Sequence, residues 1–103
     1  MSLIDFLLTE SVTIKPFSHY GSGEFVHGES ETRKARVEYN PGLRTTYPGS
    51  SEIDAVPAKA RIFMTGEEIP QRSLITYNGN EYTVTECKVL KGFVGDHLEV
   101  LVV

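Results

Sequence analysis

The sequence predicts a mainly β fold: a small antiparallel β-barrel or sandwich of five to seven strands, with a short N-terminal helix and two long loops, in a single domain of residues 1–103. Three observations predict it. Apolar and polar residues alternate with a period of two over several separate stretches, the pattern of half-buried strands. Asn78-Gly79 lies between two such stretches and supplies the positive φ angles of a type I′ hairpin turn. Gly- and Pro-bearing breaks separate the stretches, an order that suits a small all-β unit.

Residues 2–8 hold the helix. Ser2 and Asp5 can accept bonds from the unpaired N–H groups of its first turn, and Leu3, Ile4, Leu7 and Leu8 share one face. So short a helix does not stand alone in water, so it plugs a barrel end or meets another subunit. From Ser11 the period becomes two: Val12 and Ile14 alternate with Thr13 and Lys15 until Pro16 stops the strand at a sheet edge. Residues 17–32, rich in Gly, Ser and Glu, form a long loop or a loose hairpin centred near Phe25-Val26. A second strand sets Ala35, Val37 and Tyr39 opposite Lys34, Arg36 and Glu38.

Asn40-Pro41-Gly42 then breaks the chain, and residues 40–52 carry two Pro-Gly pairs around Leu43, Arg44 and Tyr47. Loops of this length without structure of their own are usually functional or mobile. Residues 53–64 read as one long strand, with Ala58, Ala60, Ile62 and Met64 on one face. Lys59, Arg61 and Phe63 take the other, where Phe63 hints at a second contact. After a turn at 65–70 comes the Asn78-Gly79 hairpin, in which Ile75, Tyr77, Tyr82 and Val84 share a face whichever two residues turn. The last strand, 96–103, has Leu98, Val100 and Val102 on one side and Leu101 and Val103 on the other. Apolar residues on both faces predict cover from two sides, the second from a neighbouring subunit.

Composition narrows the function. The hydrophobic fraction of 40% and charged fraction of 23% are those of a folded soluble protein. A net charge of −4 opposes sequence-independent nucleic-acid binding, which draws on Lys and Arg. One cysteine, Cys87, excludes an internal disulfide and any site of several thiolates. Residues 1–8 lack the basic start and cleavage site of a signal peptide, and no apolar run approaches the ~20 residues of a membrane span. A soluble, cytoplasmic protein is expected.

No catalytic constellation stands out. His19, His27 and His97 lie in loops or at strand starts without the spacing of a metal motif. Cys87, facing away from Tyr82 and Val84, has only Lys88 beside it to favour a thiolate. Glu67-Glu68 and the Glu29/Glu31 pair fall in Gly-rich turns and read as solvated. Gly21-Ser22-Gly23 lacks the lysine-bearing helix start of a phosphate loop. No enzymatic activity, no cofactor and no metal is expected. An alternative is a single-stranded nucleic-acid-binding barrel, with Arg33, Lys34 and Arg36 beside Tyr39 and Tyr47 as a basic, aromatic groove. The acidic flank Glu24, Glu29 and Glu31 opposes it.

The C-terminal half carries a resemblance. Arg61-Ile62-Phe63-Met64, the hairpin Ile75-x-Tyr77-x-Gly79-x-x-Tyr82-x-Val84, then Gly92 and Asp96-His97-Leu98-Glu99-Val100 resemble the head-closure (head–tail connector, minor capsid or neck) proteins of long-tailed bacteriophages. The earlier Tyr20-Gly21 loop and the strand around residues 35–38 agree with that pattern. The resemblance implies a small β-barrel whose copies form a ring beneath the portal, extending the channel, helping to retain packaged DNA and offering a surface to the tail. The partners it implies are other copies in a ring matching the portal's symmetry, a portal or adaptor protein, and a tail completion protein. DNA is then only the channel's contents, no membrane is involved, and the location is the virion neck, or the host cytoplasm during assembly. By position, the 40–52 loop with Leu43, Arg44 and Tyr47 becomes the channel- or neighbour-contacting element. The 17–32 loop with Tyr20 and Phe25 becomes the portal or tail contact.

Overall fold

The computed structural model describes residues 8–49, 55–91 and 95–103. Among these the chain is mainly β and contains no helix. The strands are β1 (Glu10–Lys15), β2 (Phe17–Gly21), β3 (Glu24–His27), β4 (Glu31–Tyr39), β5 (Arg44–Thr45), β6 (Val56–Pro57), β7 (Ala60–Met64), β8 (Leu74–Tyr77), β9 (Asn80–Leu90) and β10 (His97–Val102). Six close an antiparallel barrel in the order β1-β4-β7-β10-β9-β8, while β2–β3 and β5–β6 are separate two-stranded ribbons. All but the last residue of the expected helix lies outside the described residues; Leu8 is buried.

The alternation read from the sequence builds the core. Val12 and Ile14, Ile62 and Met64, Ile75, Val84, Leu98, Val100 and Val102 point inward and pack as one cluster. Register matches large to small across the wall. Met64 lies opposite Ala35 and Leu98, Ile62 opposite Val37 and Val100, and Ala60 opposite Tyr39 and Val102. This interleaving lets a six-stranded barrel fill its interior with side chains. Each fully buried Ile contributes roughly 1.5–3 kcal/mol relative to exposure.

The Asn78-Gly79 hairpin forms with Tyr77 opposite Asn80 and Ile75 opposite Tyr82. Its turn residues have φ of 54° and 81°, both in the left-handed region that a type I′ turn requires. Within residues 17–32, β2 and β3 form a hairpin whose turn lies at Ser22-Gly23, not near Phe25-Val26, and β4 begins at Glu31. Ser22 and Gly23 take φ of 52° and 79°, so they repeat the same turn conformation.

Two expectations about strand continuity and facing are also corrected. Residues 53–64 are not one strand: β6 ends at Pro57 and β7 begins at Ala60. Pro57 has no N–H to continue a ladder, and the next two amides go to different segments, Ala58 N–H to Leu43 O just before β5 (2.9 Å) and Lys59 N–H to Val102 O in β10 (2.9 Å). Secondly, β9 carries a bulge. Leu101 pairs with Glu86 but Val102 with Val84, so Thr85 is the extra residue. Val84 and Thr85 are both fully buried, and beyond them the inward parity reverses. Cys87 therefore packs against the core with Tyr82 and Val84 instead of facing away from them.

The second face of β10 is closed within the single chain. Leu101 and Val103 are 4% and 8% exposed without a neighbouring subunit. The β5–β6 ribbon is anchored to β9 beside this strand, where the Thr45 and Thr85 hydroxyls meet at 2.6 Å.

Candidate interaction surface

The two excursions singled out from the sequence converge on one outer wall. In the β2–β3 hairpin, Phe17 pairs with His27 and His19 with Val26, so Ser18 is bulged. The bulge brings Phe17 and Tyr20 onto the face that carries Phe25 and His27. The rings pack edge-on, Phe17 to Phe25 at 5.8 Å and Tyr20 to Phe25 at 5.3 Å between centroids.

This face turns toward the barrel. Phe17 N–H donates to the buried Ser73 Oγ at 2.9 Å, and Gly28 N–H donates to Pro16 O at 2.8 Å. His27 Nε2 lies 2.9 Å from Arg72 O; a carbonyl only accepts, so Nε2 carries the proton. Arg72 itself takes a left-handed φ of 71°, a strained position for a side-chain-bearing residue. It is held there by its N–H bond to Val84 O (2.9 Å). Its guanidinium lies 5.2 Å from the centre of the Phe25 ring, in cation–π range.

The strap between β4 and β7 supplies the other side. It leaves the barrel at Asn40, whose N–H donates to Lys59 O (3.0 Å), crosses as β5, and is pinned by the Thr45–Thr85 bond. Beyond the pin, Tyr47 and Pro48 join Phe25, His27, Arg72, Leu74 and Thr83 around a recess of about 240 Å³. Gly49 approaches so closely that a Cβ there would lie 3.1 Å from Arg72 Nη2. The recess has aromatic walls and one cation. Tyr20, Phe25 and Tyr47 are 63%, 52% and 48% exposed around it.

Of the five residues placed by position, Phe25 and Tyr47 line this recess and Tyr20 packs edge-on against Phe25. Leu43 and Arg44 do not join them. Leu43 O accepts from Ala58 N–H, the Arg44 guanidinium donates to Ala55 O, and both line a separate recess of about 420 Å³ with Pro57 and Ala58. Arg72 and Ser73, which organise the aromatic recess, carry no sequence signal beyond lying just before the hairpin strand.

The other candidates disperse. Arg33 shares the inward register of Val12 and is consumed at one barrel end, donating to Thr65 O (3.3 Å) and Glu67 O (2.8 Å) and pairing with Glu31 (2.9 Å). Lys34 and Arg36, exposed, take the opposite register parity. Tyr39 sits beside Tyr77 at 6.1 Å between ring centres, whereas Tyr47 lines the recess with Arg72, which takes in none of Arg33, Lys34, Arg36 or Tyr39. Among the described residues no group of three or more His, Cys, Asp or Glu could hold a metal ion. Burial pushes the Cys87 thiol up, away from the reactive thiolate.

A polar tie not foreseen from the sequence is at Glu10. Tyr77 Oη donates to its Oε1 at 2.6 Å and Val37 N–H to its Oε2 at 2.8 Å. These bonds hold the Glu10 carboxyl below its ordinary value and push the Tyr77 phenol up to about 12. The pair clips β1 to β4 and β8.

Comparison with known protein families, curated proteins and solved structures finds no match. What the surface is for rests on its own geometry and on the hairpin motif.

Proposed function

We propose that the protein is a non-catalytic structural component of a tailed phage or prophage. Copies form a ring at the head–tail connector that joins portal to tail and helps to retain DNA. Its partners are further copies, a portal or adaptor protein, and a tail completion protein. DNA is only the channel's contents, and the location is the virion neck, reached from the host cytoplasm. The observation that carries this reading is the aromatic ribbon and strap standing on a closed barrel. Closure removes free barrel edges, so contacts with other chains fall to the excursions, where Tyr20, Phe25 and Tyr47 are exposed. Exposed aromatic rings around a small recess are the composition of protein–protein contacts.

The test is co-sedimentation with a portal ring from the same phage or prophage genome. Retention that is lost on Tyr20→Ser/Phe25→Ser substitution supports the reading. A protein that stays monomeric at high concentration and never sediments with the portal overturns it.

A further inference from the structure

We propose that the outward face of the β2–β3 hairpin of one copy, carrying Glu24 and Val26, docks into the Phe25–Tyr47–Arg72 recess of the next copy. This deepens the ring-forming reading and rests on it.

The hairpin has two unlike faces. Cross-strand pairing sets Tyr20 with Phe25 and Phe17 with His27 on one face, and Gly21 with Glu24 and His19 with Val26 on the other. The first face meets the barrel through Phe17, His27 and Arg72. The second points away from it, with Glu24 and His19 exposed and Val26 36% exposed. One side of the ribbon therefore presents a carboxylate beside an aliphatic side chain.

On the other side, the recess is lined by Phe25, His27, Tyr47, Pro48, Leu74 and Thr83 around Arg72. Among the described residues the Arg72 guanidinium forms no ion pair; its place is set by the Phe25 ring and the close Gly49 backbone, while the Arg72 backbone is fixed by its N–H bond to the Val84 carbonyl. A planar guanidinium held in this way recognises a carboxylate, and the aromatic walls take the neighbouring aliphatic group. Glu24 and Val26 match that demand in charge and in shape.

The pairing cannot form within one chain. Strand alternation places Glu24 on the face of the ribbon opposite the Phe25 ring over which Arg72 lies, so the ribbon itself separates them. Donor and acceptor surfaces are thus different faces of the same element. A contact between them is head-to-tail, which continues from copy to copy and closes into a ring when the rotation allows. A net charge of −4 per chain repels copies in general, which makes a specific cation-to-carboxylate contact decisive for register.

The test is charge reversal read by mass photometry and sedimentation velocity. Glu24→Arg and Arg72→Glu are each expected to raise the concentration needed for assembly at least about tenfold, because like charges then face each other. An equimolar mixture of the two variants, and the double variant, are both expected to recover assembly. Far-UV circular dichroism confirms folding, and if either reversal unfolds the chain, Glu24→Gln and Arg72→Gln replace it and must be non-additive when combined. Wild-type assembly with both single variants unaffected, or weakened without recovery in the mixture, overturns this contact while leaving the ring reading in place. Wild-type protein that does not assemble even on a portal removes both.

Discussion

Replacing Thr85 with Val probes the pin that holds the strap on the barrel. Thr85 Oγ1 lies 3.0 Å from Leu101 O and 2.6 Å from Thr45 Oγ1. The carbonyl only accepts, so Thr85 donates to it and Thr45 must donate to Thr85. Val keeps the shape and removes both bonds. The Thr45 hydroxyl, 3% exposed, is left with Glu86 Oε2 at 3.4 Å, a poor partner. An unpaired buried hydroxyl costs about 1–3 kcal/mol, so a loss of about 2 kcal/mol is expected for Thr85→Val. For a domain near 100 residues this lowers the melting temperature by on the order of 10 °C. Thr45→Val combined with Thr85→Val removes the orphaned hydroxyl as well, so the double variant should be less destabilised than the sum of the two singles. The assay is thermal and urea unfolding followed by circular dichroism. Thr85→Val within about 0.5 kcal/mol of wild type, the range of ordinary surface changes, or strictly additive singles, would refute the pin.

Three further outcomes are expected. Gly79→Ala should cost roughly 1–2 kcal/mol from its left-handed φ of 81° alone, since an added Cβ there meets nothing within 4 Å; an unchanged urea midpoint would contradict the type I′ turn. The Glu10–Tyr77 bond should give pH-dependent stability at both ends of the scale. The lowered Glu10 carboxyl contributes above its ordinary value of 4.5 and loses this as pH falls further. The raised Tyr77 phenol contributes below 10 and loses this as pH rises through about 12. The urea midpoint of wild type should therefore exceed that of Tyr77→Phe most between these limits, and an equal gap at every pH would show the bond to be idle. Finally, because Arg33 is tied to the 65–67 turn while Lys34 and Arg36 face elsewhere, single-stranded DNA should not be retarded by the protein at low salt; a salt-dependent shift would revive the nucleic-acid reading.

Much of the barrel was legible because alternation and turn chemistry agree. Val12 and Ile14, Ile62 and Met64, and Leu98, Val100 and Val102 all face inward as their spacing requires, and Asn78-Gly79 turns where its composition demands. What escaped depends on contacts distant in sequence. The bulge at Thr85 is hidden inside Thr83-Val84-Thr85, a β-branched run that reads equally well in either parity, and it alone decides where Cys87 points. The break after Pro57 follows from two amides choosing different partners, which no local pattern encodes. Leu101 and Val103 are covered, as their apolar character requires, but within the single chain and not by a neighbouring subunit. For the candidate surface, aromatic residues in Gly-rich segments marked Tyr20, Phe25 and Tyr47. Arg72 was invisible, because its role comes from a ring 47 positions away in the chain.

Assembly is the claim on which the functional account depends, and electron microscopy of the concentrated protein, alone and with the portal, tests it most directly. Closed rings of uniform size, coaxial with the portal when it is present, are the expected images. Dispersed single barrels in both samples would contradict the account.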